Sequence, residues 1–533
     1  MASPSHSNAA HPAPGGHAVT QAVHPRPQSP RTLPPDRSRG IARYTSYMRH
    51  DALEAGLWAT MILATVYILI FATVSILRYV NFHYGGDTAD YAQMLWNTDH
   101  GRILWKTNIY TAGNGFRGGH AEPLLVLLAI PYAIIPDPRT LLLLQTLALA
   151  SGGPLTYLLA RIHGHQQRIA LGLAALYFVF PLVHYANIWD FHPDPFAVPA
   201  LFGALIAFDL RRWKLLAICL VVVLLTKEQM GLFVVGLGAY WWFWRGERKV
   251  GQLAIGAALL YGLVVLLPWM LATSGQFSRD YGSYFSDAGS AAHARGPLGR
   301  LEAIGSLLSE GFRMQNLMLA LLPTGFLFLF DGSAIVTILP LAGLYVSNRF
   351  TNDFWFHHYV TCVPIFLYGT SRVLLRPTFR RYRTILPVAL IAWACMLGYS
   401  YAASALNMMH WIYQPAIFLS TDVHARAQSS FIRFVPPGAP LDSDSPIAAH
   451  LASRETLYQV QNPDQPSLVP YTLLDLHSDM TNPPPWLVQD DDLTRAYILR
   501  TGGFKVIHAI PKQGLYLYAN CRKFPHALGC QKG

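Results

Sequence analysis

Apolar runs of about 15–25 residues recur through most of this chain, each closed by a short polar or basic segment. Runs of that length match a ~30 Å hydrocarbon core, so they read as membrane-spanning helices. The first predicts a helix over roughly 57–80. Later runs predict spans at about 169–185, 195–210, 215–226, 229–245, 251–271, 316–330, 333–347, 356–373 and 385–405. Two further runs, 123–136 and 140–160, are split by Pro136, Asp137 and Pro138, and the first is short for a crossing. After residue 405 the pattern changes to short alternation between turn residues. It predicts strands at Ala439–Asp442, Leu457–Val460, Tyr471–Leu476, Lys505–Ile510 and Leu515–Tyr518, with helices over Asp422–Phe434 and Asp490–Arg500.

Composition agrees. Hydrophobic residues make up 52% and charged residues only 13%, against about 25% charged in an average soluble domain. The net charge is +11. Its basic residues form short clusters between apolar runs: Arg161/Arg168, Arg211/Arg212/Lys214, Arg245/Arg248/Lys249 and Arg372/Arg376/Arg380/Arg381/Arg383. Clusters so placed mark cytoplasmic loops of a membrane protein, and no nucleic-acid partner is expected. All four fall inside if 123–160 makes one net crossing, with 123–136 re-entrant or lying at the outer interface.

The predicted fold is a polytopic α-helical bundle of about eleven spans with a small C-terminal α/β domain outside. Residues 1–50, rich in Pro, Ser, His and Arg, predict a disordered cytoplasmic tail and no cleaved signal. Residues 51–405 form the transmembrane domain, with outer loops 81–121 and 272–315, and 406–533 the extracytoplasmic domain. Cys521 and Cys530 then lie in an oxidising compartment, either paired or as free thiols. The expected location is the plasma membrane.

The candidate chemistry lies on the outer side. Asp87 and Asp90 follow the first span on a short amphipathic helix, where positions i and i+3 share a face. One carboxylate could serve as base toward an acceptor hydroxyl while the other orients it or binds a cation. Helix capping by Asp87 is the plain alternative. His120 and Glu122 open the next apolar run. Asp190, His192 and Asp194 crowd one turn between spans. Lys227 and Glu228 interrupt an apolar stretch from Leu215 to Tyr240, and charges at that depth pair or face a wet cavity. Lys227 suits a phosphate; Glu228 is either its structural partner or part of the cavity. Arg349 and His358 offer further phosphate or hydroxyl contacts. Adjacent His357 and His358 should face different sides of a helix, so no metal site is expected there. Such a cavity fits a lipid-linked phosphate donor, which needs an apolar groove, cations and an activating carboxylate.

These blocks carry a resemblance. Asp87 with Gln93, Trp96, Asn97, His100 and Arg102 resembles the DUF2079 family of membrane proteins. So do His120–Pro123, Leu141–Gln145, Asp190–Asp194, Lys227–Glu228 and the tail from Val435 through His450 and Arg454 to Tyr458. The likeness spans roughly 75–530. That family is in turn similar to the GT-C glycosyltransferases, which take sugar from a polyprenyl-phosphate carrier at the outer face. The resemblance implies a GT-C-like bundle, a polyprenyl-phosphate-linked sugar as donor, and the role of essential first-loop carboxylate for Asp87. His120, Glu122, His192, Asp194, Lys227, Glu228, Arg349 and His358 would line the substrate site, in contact with the lipid bilayer. Ala92 stands where the family's first-loop block has a second acidic residue, which points to catalysis through Asp87 without a metal. No cofactor is expected, although a divalent cation is compatible with the site. The acceptor is not named by these residues. Transport of a lipid-linked substrate, or a non-catalytic membrane scaffold, are the competing readings.

Overall fold

The computed structural model describes residues 55–107, 116–117, 119–273, 282–293, 296–354, 356–404, 423–460, 465–477 and 485–530. The expected tail 1–50 lies outside them, as do parts of loops 81–121 and 272–315. Three described helices are long and apolar enough to cross a membrane: α1 (Ala55–Val80), a helix over Pro138–Ile162, and one over Arg248–Ala272. Gln167–Phe178 and Pro181–Ile188 meet at a 40° bend and make a fourth if counted as one span. Pro181 has no backbone N–H to continue the first of the two. Length alone therefore supports three or four of the roughly eleven crossings expected, among the described residues. Shorter apolar helices include Leu124–Ile134, Trp213–Thr226 and Met230–Trp244. At 11 residues, Leu124–Ile134 rises about 17 Å, well short of a ~30 Å core.

One expected span is corrected. Residues 316–330 are not a continuous helix: Gly311–Leu321 ends and short turns Leu322–Thr324 and Leu327–Phe330 follow. Pro323 removes a donor, and Gly325 and Phe326 take φ of 56° and 58°, outside any right-handed helix.

α1 buries mainly small and aromatic residues, Gly56, Thr60, Ala64, Tyr67, Phe71 and Tyr79 among them, and several helices turn large aliphatic residues outward. Ile62 and Leu69 on α1, with Leu253, Leu259 and Leu263 on Arg248–Ala272, are all well exposed. Water penalises such a surface, whereas lipid accepts it.

Helix Asp194–Asp209 carries an acid at each end, Asp194 buried and Asp209 with 8% of its side chain accessible, and each anchors a polar network. Its 16 residues separate them by about 23 Å. At the far end Asp209 receives His163 at 3.1 Å, Arg245 at 2.9 Å and the Tyr368 hydroxyl at 3.3 Å. His163 also meets Ser371 Oγ at 2.8 Å, and Arg372 pairs with Asp331 at 3.0 Å. Segments from all four basic clusters thus meet at one end of the bundle.

The C-terminal segment forms a five-stranded mixed sheet. We number its strands β1 (Leu441–Ser443), β2 (Leu457–Gln459), β3 (Tyr471–Asp475), β4 (Phe504–Ile510) and β5 (Leu515–Asn520). Their spatial order is β2-β1-β3-β5-β4. β1 is parallel to β2 and β3; β5 is antiparallel to β3 and β4. Helices Val423–Phe431 and Pro485–Thr501 accompany the sheet, so all five strands and both helices occur where the alternation predicts them, within a few residues. Cys521 and Cys530 are bonded to each other. The sheet does not stand apart: Leu441, Leu457 and Leu473 share one apolar cluster with Ala89, Leu95 and Leu125.

Candidate functional site

The site is built around α2 (Gly86–Asp99), the short helix after α1. Its start is not capped by Asp87. Gly85 is the capping position, and its N–H donates to Asp190 Oδ1 at 2.9 Å. Burial, with the Asp87 charge second, pushes the Asp190 carboxyl up to about 7. Asp87 is left free of capping duty, with 54% of its side chain accessible. Its Oδ2 lies 3.5 Å from His192 Nε2.

His192 is held by its neighbours. Its backbone N–H donates to Gln145 Oε1 at 2.9 Å, and its ring Nδ1 meets the Asp190 carbonyl at 3.0 Å. Its ring stacks on His357 with centroids 3.5 Å apart. His357 Nε2 lies 3.5 Å from Asp194 Oδ2, which receives Lys227 Nζ at 3.2 Å. Lys227 also reaches Glu122 Oε1 at 3.6 Å, and Tyr91 donates to that oxygen at 2.9 Å. An unbroken series of contacts therefore runs from the open Asp87 to the buried Lys227.

Lys227 and Glu228 do not pair with each other. The helix Trp213–Thr226 stops at Lys227, whose backbone is extended, with φ −165° and ψ 155°. Consecutive side chains then diverge. Lys227 turns to Asp194 and Glu122, while Glu228 accepts from His120 at 2.7 Å and from the Ala121 N–H at 2.9 Å. His120 closes this edge against the Tyr284 hydroxyl at 2.9 Å.

Two expectations are corrected here. Asp90 does not join Asp87 at one substrate position. It is taken by Lys106 at 2.5 Å and by Gln459 of β2 at 2.8 Å. Burial raises its carboxyl and the Lys106 charge opposes that. His357 and His358 do not face opposite sides either. They open a tight 3-10 turn, His357–Cys362, with ring centroids 4.0 Å apart. With Asp194 they form a group whose ligand atoms all lie within 4.8 Å of one another. Arg349 is exposed and lies over the Phe312 ring at 5.4 Å, outside this cluster.

Residues 78–492 match the model of the family described as predicted membrane protein DUF2079. The chain belongs to the DUF2079 family. It is an integral membrane protein, as the family description and its exposed apolar helices agree. No curated protein matches this DUF2079 chain in sequence. Among solved structures, it resembles the crystal structure of ArnT from Cupriavidus metallidurans bound to undecaprenyl phosphate. Identity is 14%, with 89% of this chain and 99% of that chain covered and a TM-score of 0.50. The apo structure of the same ArnT matches at 14% identity over 86% of this chain and 98% of that chain, with a TM-score of 0.44. At this identity the likeness shows a shared fold along nearly the whole chain, as the sequence resemblance implied.

The sequence blocks around Asp87, Glu122, Asp194 and Lys227 converge in space. Tyr91 and Gln145 join the site beyond the candidates read from the sequence, and Asp190 gains the specific task of accepting from the Gly85 N–H. Asp190 had a signal, since it stands within the same dense turn as His192 and Asp194. Gln145 ends one of the blocks that carry the family resemblance, whereas Tyr91 is a single hydroxyl beside the acids of α2 and had no signal of its own.

Proposed function

We propose that this protein is a membrane glycosyltransferase that takes a sugar from a polyprenyl-phosphate donor and passes it to an acceptor at the outer membrane face. The observation that carries the reading is the contact series from Asp87 through His192, His357 and Asp194 to Lys227. It joins an accessible carboxylate to a cation beside apolar helices, and a pocket with a few convergent polar groups is where ligands bind. Asp87 accepts the proton of the acceptor hydroxyl as that oxygen attacks the anomeric carbon, and the lipid phosphate leaves. An ammonium has three donors. Lys227 donates to Asp194 and faces the Glu122 charge at 3.6 Å, and offers a further donor to a phosphate oxygen. His120, Glu122, His192, Glu228 and His358 line the sugar and phosphate pocket. The fold shared with ArnT, captured with undecaprenyl phosphate, supports the donor class.

The bonded Cys521–Cys530 pair supports an oxidising compartment for the C-terminal sheet. The basic clusters gathered at the Asp209 end support a cytoplasmic position for that end, with the N-terminus inside and the Asp87 end outward.

The test is consumption of polyprenyl-phosphate sugars by membranes containing either wild type or Asp87→Asn. Loss of a positioned base costs about 10²–10⁴-fold in rate. The variant should lose turnover by that factor while accumulating normally. Wild-type turnover by Asp87→Asn contradicts the assignment.

A further inference from the structure

Asp194 lies among Lys227, His357 and His358, with Glu122 on the far side of Lys227. Charges at such sites are costly unless paired. A phosphate donor adds more negative charge to the same place.

The histidines show what is lacking. His357 is 3% exposed, and neither of its ring nitrogens has a hydrogen-bond partner. Buried polar groups are rarely left so. Its Nε2 points at Asp194 Oδ2 from 3.5 Å, which is too long for a hydrogen bond. It matches the spacing of two ligands on one metal: bonds of ~2.1 Å at a tetrahedral angle put donor atoms about 3.4 Å apart. His192 repeats the geometry. Its Nδ1 must donate to the Asp190 carbonyl, which can only accept. A neutral ring therefore turns the Nε2 lone pair toward Asp87 Oδ2, also at 3.5 Å.

We propose that Asp194, His357 and His358 form a three-ligand site for a divalent cation of the zinc class, with its fourth position open toward the Asp87 recess. Two imidazoles and one carboxylate are the ligand types zinc takes, and catalytic zinc sites keep one position for water or substrate. Asp194 Oδ2 already receives Lys227, and Oδ1 receives Gln229 at 3.0 Å. A carboxylate has about four lone-pair sites, so a second lone pair of Oδ2 serves the metal. Lys227 then leans toward Glu122. The ion satisfies the buried His357 ring, and a donor phosphate oxygen takes the open position. Only that last step rests on the proposed function.

The test compares full-length wild type with His357→Ala/His358→Ala, both stripped with chelator, reloaded with Zn²⁺ and counted for metal per chain. His6, His11, His17 and His24 are common to both proteins, so the difference isolates the site. The double variant should hold one ion fewer, and Co²⁺-loaded wild type should show a tetrahedral visible spectrum that the variant lacks. If the double variant misfolds, His357→Asn with Co²⁺ gives the same comparison. Equal zinc content, or identical Co²⁺ spectra, overturns the site. Undecaprenyl phosphate binding is measured alongside. Zinc bound at these histidines without lipid-phosphate binding sinks the proposed function and leaves the metal site standing. Lipid-phosphate binding with equal zinc in both proteins sinks the metal site alone.

Discussion

Gln459 and Asp90 are 369 positions apart in the chain, yet the Gln459 carboxamide donates to Asp90 Oδ1 at 2.8 Å. The same Nε2 donates to the Gly86 carbonyl at 2.9 Å. β2 thereby clamps the first turn of α2, the turn that presents Asp87. Gln93 adds to the join by donating to the Glu455 carbonyl at 2.9 Å and to Thr107 Oγ1 at 2.7 Å. The C-terminal sheet thus positions the candidate base.

Gln459→Ala should loosen α2 without unfolding the bundle. Two hydrogen bonds are worth about 1–3 kcal/mol together, so amides of Gly86–Asp99 should exchange about tenfold faster or more. Hydrogen exchange on the full chain reads this directly. Unchanged exchange across α2 means that β2 does not hold the helix.

Asp442 lies in the middle of β1, and neither carboxylate oxygen has a hydrogen-bond partner. Burial pushes its carboxyl up to about 8. Asp491 is raised as well, by burial first and then by the Asp444 charge. An unfolded Asp titrates near 4. Between about pH 4 and 8 the folded state therefore binds more protons than the unfolded one. This contribution to stability is full below about pH 4 and is lost as the pH rises through about 8. Asp442→Asn should flatten that slope and raise the Tm at pH 8, where the wild type carries an unpaired buried charge. Thermal scans at pH 5 and pH 8 that keep the wild-type slope in the variant would contradict this.

Asp209→Asn should destabilise the bundle. It leaves Arg245 and His163 facing a neutral amide in a buried network. Breaking one partner of a buried pair costs about 3–5 kcal/mol. A Tm within a degree of wild type would show that the network is not a brace.

Much of this arrangement was legible in the sequence. α2 was, because its acids and its apolar positions follow the first span immediately. The break at Lys227 was, because two charges in a long apolar run leave few alternatives. What escaped needed distant chain. Asp90 shares a helix side with Asp87, but only the fold brings Lys106 and Gln459 to it. His357 and His358 read as opposed on an α-helix, and the tighter turn brings their rings together. Hydropathy alone predicts a span over 316–330, whereas the backbone obeys Pro323 and Gly325.

The central claim is that the recess between Asp87 and Lys227 receives a lipid phosphate. A cryo-EM structure of the full chain with undecaprenyl phosphate tests it most directly. Phosphate density is expected in that recess, within about 3 Å of Lys227 Nζ, with the polyprenyl chain along the apolar helices. Phosphate density elsewhere on the protein, with Lys227 still enclosed by Asp194 and Glu122, would contradict it.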